Sequence, residues 1–178
     1  LVLQQGEICV NTNKLNFNVK LKNQILWEVE NPHLYKLKLQ LLDKDLIDSF
    51  EDNFGMRSIS YNEGKICLNN KPMYIRGALD QGYYPKTIYF APSDEYIINE
   101  IKQAKAMGFN LLRKHIKVEI PRYLYWADKL GILIWAETPN YVKWTDVSRI
   151  RFENEMYSMI NRDFNHPSII IWSLYNEE

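Results

Sequence analysis

Asp80 with Gln81, Arg113 with Lys114 and His115, Glu137, and Asn176 with Glu177 and Glu178 each stand at the end of a short apolar run. Carboxylates, a guanidinium, an imidazole and side-chain amides gathered at one place would suit a polyhydroxylated substrate. Sugar hydroxyls demand many fixed donors and acceptors, aromatic walls bind the apolar faces of a ring, and a pair of carboxyl groups works across a glycosidic bond. Trp135, Tyr141, Trp144 and Trp172 are candidate walls; each also reads as ordinary packing, Trp172 most of all because it lies deep in an apolar run. One carboxyl group of such a pair must start neutral, which needs a raised pKa. A strand-end position beside a second carboxylate supplies that.

Those residues converge only if the elements carrying them lie side by side. From about Lys65 the pattern is one of short strands alternating with helices, which predicts a βα-repeating, parallel-sheet region. Tyr74-Ile75-Arg76-Gly77 reads as a strand, followed by a loop through Tyr83-Tyr84-Pro85. Ser93 caps a helix with Asp94 and Glu95 in its first turn and Ile97, Ile101 and Ala104 along one face, and Gly108 ends it. Phe109 to Arg113 is the next strand, Pro121 opens a helix that Gly131 closes, and Ile132 to Trp135 is the third strand. Ile150, Phe152, Met156, Ile160 and Phe164 are spaced for a buried helix face. Asn165-His166-Pro167 breaks that helix, and Ile169 to Trp172 reads as a fully buried strand. Four such units fit either half of an eight-stranded barrel or an open doubly wound sheet. No glycine-rich phosphate loop follows the first strand, which argues against a dinucleotide-binding sheet. In a barrel, the polar strand ends would share one open mouth.

The first sixty residues alternate as half-buried strands do: Leu15, Phe17, Val19 and Leu21, then Leu34, Leu37, Leu39 and Leu41. Asn11-Thr12-Asn13, Asn31-Pro32 and Asp43-Lys44-Asp45 supply turns, so a small antiparallel β-sandwich is expected, with too few strands to complete it. The chain carries 22 Lys plus Arg against 22 Asp plus Glu, which gives no bulk electrostatic case for a nucleic-acid or membrane partner. No apolar run approaches the roughly 18 residues of a membrane helix. Cys9 and Cys67 read as buried thiols, and His33, His115 and His166 lack metal-ligand spacing. The chain begins at Leu1 rather than Met, so Leu1 is not taken as a natural start and the compartment stays undetermined.

The run Asn165-His166-Pro167-Ser168-Ile169-Ile170-Ile171-Trp172-Ser173-Leu174-Tyr175-Asn176-Glu177 resembles the acid/base signature of glycoside hydrolase family 2, which includes β-galactosidases, β-glucuronidases and β-mannosidases. Met107-Gly108-Phe109-Asn110, Arg113-Lys114-His115 and Trp126 to Gly131 are similar to that family's barrel, and Asn70-Lys71-Pro72 through Arg76-Gly77 to its opening segment. Trp27, Asn31-Pro32-His33-Leu34-Tyr35 and Phe54-Gly55-Met56-Arg57 look like the end of the immunoglobulin-like domain that precedes it. The resemblance implies an α/β chain holding the first half of a (β/α)8 TIM barrel (61–178) preceded by part of an immunoglobulin-like β-sandwich (1–60).

By the same resemblance Glu177 is the general acid/base of a retaining β-glycoside hydrolase and Asn176 holds the sugar 2-hydroxyl. Arg113 stands near the sugar and the nucleophile, while His115, Glu137 and Asp80 are either sugar contacts or supports. Glu178 is the neighbouring alternative to Glu177, but strand alternation points it to the other side. The partner implied is a carbohydrate substrate, with no organic cofactor; some relatives hold magnesium or sodium, and no ligand set for either is legible here. Where many members have Asn-Arg-His after Arg76-Gly77, this chain has Ala78-Leu79-Asp80-Gln81, so the sugar is left open. The family's nucleophile is a second Glu at the end of strand seven, beyond the four strands present. The chain alone is therefore expected to be inactive, to bind carbohydrate at most, and to expose two sheet edges that the missing half of the barrel would cover.

Overall fold

The computed structural model describes residues 18–177, together with Gly6 and Asn16. Leu15, Phe17, the turn at Asn11, Thr12 and Asn13, Cys9 and Glu178 lie outside the described residues. The amino-terminal part contains a long antiparallel hairpin of β1 (Tyr35–Asp43) and β2 (Asp45–Phe54), turned at Lys44 with φ 62°. Of its alternating leucines, Leu37 is half-buried while Leu39 and Leu41 are exposed, so the hairpin covers less of its apolar face than the alternation predicts. Val19 and Leu21 lie in irregular chain rather than in a strand.

A three-stranded antiparallel sheet follows: β3 (Ile59–Asn62), β4 (Lys65–Leu68) and β5 (Lys71–Pro72). Each of its two-residue connections is left-handed at both positions. Glu63 and Gly64 have φ 47° and 77°, and Asn69 and Asn70 have φ 53° and 63°. This is the backbone twist that matches antiparallel strands, and Gly and Asn tolerate it best. Cys67 is a buried free thiol.

The rest alternates strand and helix: β6 (Gly77–Asp80), α1 (Asp94–Ala106), β7 (Leu111–Lys114), α2 (Pro121–Leu130), β8 (Leu133–Glu137), α3 (Asp146–Asp163) and β9 (Ile169–Ser173). The strands are parallel and lie in chain order, β6-β7-β8-β9. A doubly wound sheet reverses its strand order at a switch point, whereas a barrel advances in one direction, as here. The first strand begins at Gly77 rather than Tyr74. Residues 74–76 are tied to Asn110 instead of to a ladder: its side chain donates to Tyr74 O (2.9 Å) and accepts from Arg76 N (2.8 Å), and its own N–H reaches Arg76 O (2.9 Å).

The helices end where their caps dictate. The Ser93 hydroxyl accepts from Tyr96 N, Thr145 and Ser148 form a reciprocal capping box, Pro121 opens α2, and Gly131 closes it in the left-handed region at φ 72°. Ile97, Ile101, Ala104, Leu112, Tyr123, Leu124, Ala127, Ile134 and Ile169 pack α1 and α2 onto one face of the sheet. On α3 the buried apolar residues are Phe152 and Met159, flanked by Ser148 and Asp163, while Ile150 is 52% and Phe164 68% exposed. The helix therefore rests on a narrower stripe than its apolar spacing predicts. In β9 only Ile169 is buried and Ile170, Ile171 and Trp172 are half-buried, because among the described residues that strand has β8 as its one neighbour.

The opposite face is closed at the strand beginnings by the amino-terminal part: Trp27, Val29 and Leu68 meet Leu111 and Leu133. Polar ties fix this junction. Trp27 Nε1 donates to Asp128 O at 2.8 Å, and the Arg57 guanidinium donates to Pro167 O at 3.0 Å and Ile169 O at 2.6 Å. Lys105 Nζ donates to Val29 O, Leu130 O and Gly131 O. Asp128 also accepts Ser168 N–H and meets His166 Nδ1 at 2.5 Å. Burial alone would lower the His166 pKa, but the Asp128 carboxylate holds it above its ordinary value.

Candidate active site

Successive strand residues point to opposite faces, so Arg113 and Lys114 part company although adjacent. Arg113 shares its face with Trp135 and Glu137, since Arg113 pairs with Trp135 in register and Glu137 follows two residues on. Its guanidinium reaches Glu137 Oε2 through Nε (2.8 Å) and Nη2 (2.7 Å), and Nη2 also donates to Asn176 Oδ1 at 2.6 Å. The same guanidinium lies 5.0 Å from the centre of the Trp135 ring. Glu137 is 0% exposed, and its other oxygen accepts the Ile116 N–H at 2.9 Å. A buried carboxylate is tolerable when paired and hydrogen-bonded in this way. Ile116 holds φ 52°, a left-handed conformation that a β-branched residue resists and that surrounding contacts must impose.

Ends of β7, β8 and β9 thus meet in one chain of contacts, Glu137 to Arg113 to Asn176. His115 borders it, with Nδ1 buried 3.7 Å from Glu137 Oε1, beyond hydrogen-bond reach. Asn176 is also held through its backbone by Asn140, and Glu177 follows it, exposed and left-handed at φ 57°. Trp144 and Tyr175 pack edge-on with ring centres 6.0 Å apart, and Tyr175 stacks on Phe152 at 4.6 Å. Tyr141 donates its hydroxyl to Glu155 (2.8 Å), and Trp172 packs against the helix-side core.

Asp80 is not brought to this cluster. It pairs in register with Lys114, so both point to the helix side of the sheet, where the Asp80 carboxylate binds the Lys114 ammonium. Lys114 is 1% exposed, lies over the Tyr123 ring, and also meets Glu119 Oε2 at 3.0 Å. Burial alone would depress the Lys114 ammonium, but Glu119, Asp80 and Glu100 hold it above its ordinary value. Burial would likewise raise Asp80; Lys114 holds it below the usual carboxylate range. Glu100 is pushed up to about 7 by burial, against the pull of Lys114 and with the Asp80 carboxylate adding to the rise. Lys117 joins this cluster, donating to Gly82 O and Tyr89 O, both at 2.8 Å.

Sequence reading did not single out Asn140, Thr138, Glu100, Glu119 or Lys117. Only Asn140 carried a signal: an amide in the Thr138-Pro139-Asn140 segment just past a strand end, where such a side chain competes for backbone groups. Among the described residues no group of three or more His, Cys, Asp and Glu side chains is placed to hold a metal ion.

Known proteins are similar to this chain in sequence and fold. The model of "Glycosyl hydrolases family 2" matches residues 3–57, and that of "Glycosyl hydrolases family 2, TIM barrel domain" matches residues 59–178. A putative beta-glucuronidase of Formosa agariphila is 35% identical over 175 residues, covering 94% of this chain and 20% of its own length. A beta-galactosidase of Leuconostoc mesenteroides is 31% identical over 178 residues, covering 94% of this chain and 17% of its own. Among solved structures, a beta-glucuronidase of Parabacteroides merdae with glycerol in its active site superposes with TM-score 0.81 at 30% identity, over 89% of this chain and 20% of that one. A β-glucuronidase of Ruminococcus gnavus in complex with D-glucuronic acid gives TM-score 0.80 at 28% identity, over 89% and 28%. The chain therefore spans about a fifth of the length of the curated relatives it matches. With the parallel strands in barrel order, the charged strand ends and two family models that together run from residue 3 to residue 178, the chain belongs to glycosyl hydrolases family 2.

Proposed function

We propose that these 178 residues carry the acid/base side of a retaining β-glycosidase, divided into a β-sandwich part (1–60) and a barrel part (61–178), with the nucleophile outside them. The observation that carries this reading is the Arg113 guanidinium, which joins buried Glu137 to the side chain of Asn176, the residue before Glu177. Glu177 protonates the leaving oxygen and then takes a proton from the incoming water. Asn176 holds the sugar 2-hydroxyl, and Arg113 fixes Asn176 while offering its charge to the sugar side of the site. Glu137 supports Arg113, His115 lines the same face, and Asp80 supports the strand ends through Lys114 rather than touching sugar. Acid, nucleophile and water suffice, so no organic cofactor is required.

Retaining hydrolysis needs two carboxyl groups roughly 5 to 5.5 Å apart, and this reading assigns one of them to this chain. The test uses the natural full-length protein and a panel of aryl β-galactosides, β-glucuronides and β-mannosides. Glu177→Gln is expected to lower kcat/KM about 100-fold or more on poor leaving groups. Activity unchanged by Glu177→Gln would remove the assignment, and turnover by the purified 178-residue chain would remove the claim that the nucleophile lies elsewhere.

A further inference from the structure

We propose that Asn140 is the positioning residue that sets where the Glu177 carboxyl stands; the proposal rests on the acid/base reading of Glu177 given above. The β8–β9 ladder ends at the pair Glu137 and Ser173. Past it, the segment after β8 continues the pairing by other means. Thr138 donates its backbone N–H to Ser173 O at 3.3 Å and its hydroxyl to Leu174 O at 2.5 Å. Asn140 then takes both main-chain groups of Asn176: its Nδ2 donates to Asn176 O at 2.7 Å, and its Oδ1 accepts the Asn176 N–H at 3.2 Å.

A side-chain amide presents an N–H donor and a carbonyl acceptor side by side on one edge, so Asn140 does for the N–H and C=O of Asn176 what a paired strand residue would do. Asp offers only the acceptor, and Ala offers neither. From the other side, the Asn176 side chain accepts from Arg113 Nη2 at 2.6 Å. Three bonds from two different strand ends therefore fix one residue. The next residue, Glu177, is left-handed at φ 57° without being glycine, a conformation that persists where neighbouring chain over-determines it. The Glu177 side chain is exposed, so the direction of its carboxyl is inherited from that backbone. Freeing Asn176 lets the tip relax and swings the acid away from the leaving oxygen.

Proton donation matters most when the leaving group is basic, which gives the test its readout. In the full-length protein, kcat/KM is measured for wild type, Asn140→Ala, Asn140→Asp and Glu177→Gln on a phenyl and a 2,4-dinitrophenyl β-glycoside of the preferred sugar. Asn140→Ala is expected to lose about tenfold or more on the phenyl glycoside and less than about threefold on the dinitrophenyl one, with Asn140→Asp between it and wild type. Equal losses on both substrates, or none, overturn the positioning role, whereas Glu177→Gln that still discriminates between them leaves the acid/base reading standing. Glu177→Gln without discrimination overturns that reading and the positioning role with it. If Asn140→Ala does not fold, the near-isosteric Asn140→Asp carries the same comparison.

Discussion

Arg113 and Lys114 serve opposite faces of the sheet, and their neighbours sort accordingly: Glu137, Trp135 and Asn176 around the first, Asp80, Glu119 and Tyr123 around the second. The charge cluster on the helix side makes a pH prediction. Glu100 titrates at about 7 in the folded chain against an ordinary 4.5, so the folded state binds its proton more tightly than the unfolded state does. Its stabilising contribution is complete below about 4.5 and is lost as pH rises through about 7. Glu100→Gln is expected to flatten the dependence of melting temperature on pH across that window and to raise the melting temperature above it. A parallel pH dependence in wild type and variant, followed by calorimetry, would contradict this. The sequence marked Arg113, Asn176 and Glu137 as strand-end polar residues, and these the fold does assemble. It marked Asp80, like Glu137, as a strand-end residue that either touches sugar or supports the site, but alternation from Arg113 could be counted only once the Asp80–Lys114 register was known.

At the level of elements, caps and turns were the most legible features. Ser93, Pro121 and Gly131 act where the sequence placed them, because a cap is a local matter of side-chain oxygen, fixed φ or absent Cβ. Two helix-ending glycines separate local strain from tertiary contact. Gly108 has φ 91° with open space around it, while at Gly131, φ 72°, an added Cβ would collide with the Val29 carbonyl and press on Pro32. Gly108→Ala is expected to cost about 1 kcal/mol, the price of the left-handed backbone alone. Gly131→Ala should cost roughly twice that or more, since it also forces the amino-terminal segment off α2. Urea denaturation of the two variants measures the difference, and equal costs would mean that the Val29 segment yields freely. The buried face of α3 differs from the apolar spacing for a complementary reason: spacing nominates several stripes on an 18-residue helix, and the neighbours that fold onto it, such as Tyr141, Trp144 and Tyr175 around Phe152, select one.

Across the whole molecule, the amino-terminal part and the barrel strands share a core in which Trp27 is 0% exposed against Leu111 and Leu133. Trp27→Ala would remove that plug and orphan the Asp128 carbonyl that its indole satisfies. A loss of about 3 to 5 kcal/mol is expected, read as a lower urea midpoint, together with faster proteolysis near the junction. A loss below about 1 kcal/mol would show that Val29, Leu68 and the Arg57 and Lys105 hydrogen bonds hold the two parts together without the indole.

The sequence by itself determined the alternation of strands and helices from Tyr74 onward, the caps at Ser93, Pro121 and Gly131, the polar strand ends at Asp80, Arg113, Glu137 and Asn176 and, through the run ending at Asn176-Glu177, the family. These are properties of residue type and short spacing, governed by local backbone and side-chain chemistry. Only the tertiary structure decided which strand-end residues meet. Register and alternation fix the face each side chain takes, and the partner on that face comes from a segment tens of residues away: Asp80 meets Lys114, Arg113 meets Glu137 and Asn176, and Asn140 meets the backbone of Asn176. Spacing along one strand carries no record of such a neighbour, because the contact exists only after the strands are laid side by side.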